Sequence, residues 1–67
     1  MTDDPCGNRE VIFEFHPYGN VMRVAAMDTQ SMTEITIQCP MNTPEPLMKS
    51  NALKRLEFVL KKKGILL

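Results

Sequence analysis

The residues of this chain that could carry chemistry are few and scattered. His16 is the single histidine among 67 residues, and the groups near it that could assist a proton transfer are Glu14 and Tyr18. In an extended strand, side-chain alternation puts Glu14 and His16 on one face with their Cβ atoms separated by about two strand rises, ~7 Å. A contact is within reach at that spacing. General acid–base catalysis needs a second acid, a nucleophile or an oxyanion donor around the histidine, and the sequence supplies none. His16 therefore reads as the polar end of a strand, and no catalytic residue is assigned. A catalytic role would require a site completed across a subunit interface.

Cys6 and Cys39 stand far apart, with neither a CxxC spacing nor a histidine nearby. Zinc has no ligand set and a redox pair has no motif. Both cysteines are expected to be reduced, with Cys39 a small core residue whose thiol is inert. Phosphate cradles need a glycine-rich loop, whereas Gly7, Gly19 and Gly64 are isolated. The sequence thus predicts no metal, no cofactor and no enzyme.

Charge offers a second kind of chemistry. Eight acidic and eight basic residues cancel overall, but residues 1–42 hold six acids against Arg9 and Arg23, and residues 43–67 hold six bases against Glu45 and Glu57. The two parts carry −4 and +4. Lys54, Arg55, Lys61 and Lys62 are the candidate nucleic-acid contacts on this basic segment, since clustered positive charge drives phosphate binding. Zero net charge weakens long-range attraction, and no aromatic ladder for base stacking emerges on the strands. A solvated helix face explains the same lysines, so nucleic acid is the alternative and not the favoured partner.

The elements that position these groups follow from periodicity. Residues 1–8 are polar and rich in turn formers, and are expected to be a disordered leader ahead of a single domain over 9–67. Val11, Phe13 and Phe15 alternate with Glu10, Ile12, Glu14 and His16, the period of a half-buried strand. Reading Pro17–Asn20 as a four-residue loop places Phe15 opposite Met22, Phe13 opposite Val24, Val11 opposite Ala26 and Glu14 opposite Arg23. A three-residue loop would put Phe13 against Arg23. A second strand over 21–28 and a third over 33–39, joined by Thr29–Met32, set Ile35 opposite Ala26 and Ile37 opposite Val24.

One apolar sheet face then needs a cover. Thr43 is expected to cap a helix with Pro44 in its first turn and Glu45 near the positive end of its dipole. Met48, Ala52, Leu53, Leu56, Val59 and Leu60 form an apolar stripe about 140° wide, and Gly64 supplies the left-handed stop, with Ile65 folding back on Leu60. The predicted fold is α+β: a three-stranded antiparallel meander with one C-terminal helix packed on one face, β-β-β-α.

Some apolar residues are left over. Leu47 and Phe58 fall within about 20° of each other, opposite the core stripe. Ile12, Val21, Ala25 and Met27 share the outer sheet face with polar neighbours. Leu47, Phe58, Ile12, Ala25 and Met27 are accordingly the candidate interface. A domain below ~70 residues without disulfide or metal usually gains its stability by association, and the commonest form is a symmetric homodimer. The expected partner is therefore a second copy, with another protein as a further partner. No run approaches the ~20 apolar residues of a membrane span, and Met1-Thr-Asp-Asp-Pro lacks the basic start of a secretory signal, so no membrane association and a cytoplasmic location are expected.

Arg9-Glu-Val-Ile-Phe-Glu-Phe, the strand Val21–Met27 and the ending Ala52-Leu-Lys-Arg-Leu-Glu-Phe-Val-Leu-Lys-Lys-Lys-Gly together resemble a family of short uncharacterised proteobacterial proteins of unknown function. The likeness spans about residues 9–64 and includes no catalytic signature. It implies a bacterial cytoplasmic protein and assigns no site residue.

Overall fold

The computed structural model of the chain describes residues 10–65; the leader expected over 1–8 lies outside them. Three strands, β1 (Val11–Tyr18), β2 (Val21–Asp28) and β3 (Thr33–Pro40), precede a single helix, α1 (Glu45–Lys62). The strands pair antiparallel in the order β1-β2-β3. This is the predicted meander followed by a C-terminal helix.

The first hairpin differs from expectation by two residues. β1 continues through Pro17 and Tyr18, and the turn is Gly19-Asn20 alone. Phe15 therefore faces Val24, Phe13 faces Ala26, Val11 faces Asp28, and His16 rather than Glu14 stands opposite Arg23. Two-residue and four-residue loops keep the same parity, so alternation of faces could not separate them. Gly19 decides the matter: its φ of +58° at the first position of a two-residue loop gives the turn whose twist matches the strands. The second turn has the predicted length, with Asp28 opposite Thr33, Ala26 opposite Ile35 and Val24 opposite Ile37.

Backbone hydrogen bonds alternate along such ladders. The pair flanking the tight turn, Tyr18 and Val21, bonds across it, and the Thr29 N–H donates to the Glu10 carbonyl at 3.1 Å. Even-numbered residues of β1 thus turn their backbone groups toward β2, while Val11, Phe13, Phe15 and Pro17 turn theirs outward. On β3 the Met41 N–H donates to the Asn20 carbonyl at 3.0 Å, which leaves Glu34, Thr36, Gln38 and Pro40 facing out. Both prolines sit where an edge strand tolerates them, with the missing N–H on the open side.

The helix also starts differently from its expected cap. Pro44, extended at φ −60° and ψ 142°, is the N-cap residue, with no side-chain cap bond. Its carbonyl accepts from the N–H groups of Leu47 and Met48, both at 3.0 Å. Thr43 thus stands one residue outside the cap position, and as a cap it would find no N–H on Pro46 at the third helical position, only that of Glu45 at the second. The C-terminal stop is as predicted. Gly64 has φ +78°, the Ile65 N–H donates to the Leu60 carbonyl at 2.9 Å, and the Gly64 N–H donates to the Lys61 carbonyl at 3.0 Å. This is the double bond pattern of a left-handed helix end.

Met48, Ala52, Leu56 and Leu60 form the buried row of α1 at intervals of four and pack with Val24, Ala26, Ile35 and Cys39. Leu53 and Val59 flank that row, half-buried. Asp28 shares the inner face and is fully buried. Its Oδ2 accepts from the Ser31 N–H at 3.1 Å and the Ser31 hydroxyl at 2.6 Å, while Ser31 Oγ lies 2.9 Å from Thr33 Oγ1. The carboxylate therefore ties the second turn to the sheet and lets exposed Met32 close it at φ +58°.

Leu56→Ala is expected to cost about 2–5 kcal/mol, because it empties a fully buried site between helix and β2. Asp28→Ala should cost about 1–3 kcal/mol by stranding the Ser31 donors. Urea denaturation of the two variants measures both.

Candidate interaction surface

The histidine cluster does not develop into a site. His16 Nε2 lies 3.3 Å from Glu14 Oε1, with the two side chains 55% and 63% exposed. Tyr18 is engaged elsewhere, its ring 4.7 Å from the Arg23 guanidinium carbon. Both side chains lie open on the outer sheet face. Cys39 is free and buried. Among the described residues, no group of three or more His, Cys, Asp or Glu could hold a metal ion, and no helix is long and apolar enough to cross a membrane.

On the outward face of α1, Leu47 and Phe58 are both about half exposed. Eleven residues at 1.5 Å rise put them about 16 Å apart, so they are two separate points and not one patch. Phe58 has company: the Arg55 guanidinium carbon and Lys62 Nζ each lie 5.5 Å from its ring centroid, within the range of cation–π attraction. Lys61 instead reaches Glu57 Oε2 at 3.2 Å, and Lys54 is exposed. Of the four basic candidates, two therefore converge on one aromatic ring and two point elsewhere.

The outer sheet face is likewise uneven. Ile12, 44% exposed, stands directly opposite half-buried Met27 and makes a small apolar patch near the open end of the first hairpin. Ala25 lies on this face as expected but is buried. Small and central, between Glu14 and Thr36, it offers a floor and little contact area.

The surface that sequence reasoning missed belongs to the inner face. α1 packs chiefly over β2 and β3, so Val11, Phe13 and Phe15 touch the core cluster yet remain only partly buried. Lys49 Nζ sits 5.7 Å from the Phe13 ring centroid at this margin. The outward-facing backbone groups on β1 belong to these same three residues and to Pro17. The pattern of alternation showed that they point inward, but nothing in the helix sequence specifies which two strands the helix crosses.

A family model described as a domain of unknown function, DUF6898, matches residues 8–63. No curated protein and no solved structure matches the chain.

His16→Ala is expected to shift stability by less than about 0.5 kcal/mol, since an exposed pair gains little in water. Thermal melts of the variant and the parent test this.

Proposed function

We propose that this chain, which belongs to the DUF6898 family, is a small non-catalytic homodimeric module for protein interaction, working as an adaptor in a bacterial cytoplasm. One observation carries the reading. A helix that covers part of an apolar sheet face leaves Phe13 and Phe15 half-buried on an edge strand. A chain of this length gains from closing such a margin with a second molecule. The exposed apolar points, Ile12 beside half-buried Met27 on the sheet and Leu47 and Phe58 on the helix, suit further contact with the same or another protein.

A second reading is favoured by the Phe58 ring between Arg55 and Lys62: a small nucleic-acid-binding regulator. Such a ring could stack on an unpaired base while the cations meet phosphate. Overall neutrality argues against strong steering by the whole molecule.

Sedimentation equilibrium of the full chain at micromolar concentrations is expected to give a dimer. Fluorescence anisotropy with generic duplex and single-stranded oligonucleotides is expected to show no binding. A folded monomer at high micromolar concentration overturns the first reading, and binding that weakens steeply with added salt establishes the second.

A further inference from the structure

We infer that the second copy docks on β1, strand against strand. The two β1 strands run antiparallel about a two-fold axis at Phe13, so that Val11, Phe13 and Phe15 face the partner's Phe15, the partner's Phe13 and the partner's Val11. The inference rests on the self-association proposed above and commits it to one surface.

Three observations converge on that strand. The backbone groups of Val11, Phe13 and Phe15 point away from β2, as the bond from the Thr29 N–H to the Glu10 carbonyl fixes, and an edge strand is a template for pairing. All three of their side chains are only partly buried on the inner face, whereas β2 and β3 each have one such apolar residue there, Met22 and Ile37. The other edge is better closed: Glu34, Thr36 and Gln38 turn their backbones outward on β3 and are exposed, while inner-face Thr33, Ile35 and Cys39 of that strand are already buried and Ile37 alone is partly buried. Pairing through β3 would satisfy backbone groups and bury little apolar surface. Pairing through β1 does both, and it joins two half-closed cores into one beneath two helices.

Charge selects the register. An axis at Phe13 puts His16 opposite the partner's Glu10 on the outer face, and Glu14 opposite the partner's Ile12. Moving the axis to Ile12 sets Glu14 against the partner's Glu10, and moving it to Glu14 sets two copies of that residue against each other. Like charges directly opposite are destabilising. An axis at Phe15 brings Pro17 against the partner's Phe13 and loses an N–H from the ladder. An axis at Val11 leaves Phe15 beyond the partner's strand.

The register can be read with cysteines, in the full chain with Cys6→Ser and Cys39→Ala. Residue 12 and the partner's residue 14 form a non-hydrogen-bonded pair with Cα atoms about 4.5 Å apart, within disulfide range. Two copies of residue 12, or two of residue 14, stand diagonally at about 7–8 Å, too far to bridge. Ile12→Cys mixed with Glu14→Cys is therefore expected to give a cross-linked dimer on a non-reducing gel under mild oxidation, and each alone to stay uncross-linked. Hydrogen exchange on the unmodified chain gives a second readout that no substitution can spoil. The amides of Val11, Phe13 and Phe15 should slow by about tenfold or more between dilute and concentrated samples. Phe58→Asp should leave the dimer intact.

A dimer by sedimentation whose mixed cysteine variants do not cross-link, and whose three amides exchange freely, overturns β1 pairing while self-association stands. A monomer overturns both. A monomer with those amides protected gives the edge to residues 1–9 of the same chain, and equally overturns the second copy as occupant.

Discussion

The one helix of this chain covers its three strands unequally. An α-helix with its side chains is about 10 Å across and neighbouring strands lie about 4.8 Å apart, so α1 closes two strands well and the third at its margin. In this chain the two are β2 and β3. The close row along the helix includes Ala52, and β2 presents Val24 and Ala26 beneath it. Small residues at the contact let helix and sheet approach, while Met48 before Ala52 and Leu56 and Leu60 after it fill the space to either side. What lies outside that footprint is left to other contacts: Phe13 to the Lys49 ammonium, Phe15 and Val11 to partial solvent.

Much of this arrangement could be read directly from the chain. Alternation in 11–16 and 33–39 identified the inner face, and the interval of four between Met48, Ala52, Leu56 and Leu60 identified the helix row. Gly64 marked its end because a residue with positive φ is needed there. The misread positions have local causes. The first turn was placed two residues early, because proline before Tyr18 reads as a loop signal unless the strand is already known to be an edge. Thr43 was read as the cap, a position that Pro44 takes. Asp28 carries no sequence signal of burial, since an acid at a strand end is ordinarily solvated; its bonds from Ser31 form across a turn, a geometry that no periodicity encodes.

The candidate surfaces were legible to a lesser degree. Helical angle alone separated Leu47 and Phe58 from the core stripe, and both are exposed. Angle says nothing of axial distance, and these two are three turns apart. Nor does it say that Arg55 and Lys62 would lie against the Phe58 ring, three residues before it and four after. Ala25 was placed on the right face, but its small side chain sits lower than its neighbours. Two ion pairs of the helix, Lys49 with Glu45 and Lys61 with Glu57, are internal to it.

The outward proline at the end of β3 has a consequence for how the molecule survives in a crowded solution. Sheets with two receptive borders can recruit copies without limit and grow into fibres. Here one border ends in Pro40 and carries the exposed Glu34, Thr36 and Gln38, a combination that discourages further strands from joining. A strand added at the greasy border would thus leave the polar one outermost, where further strands are discouraged.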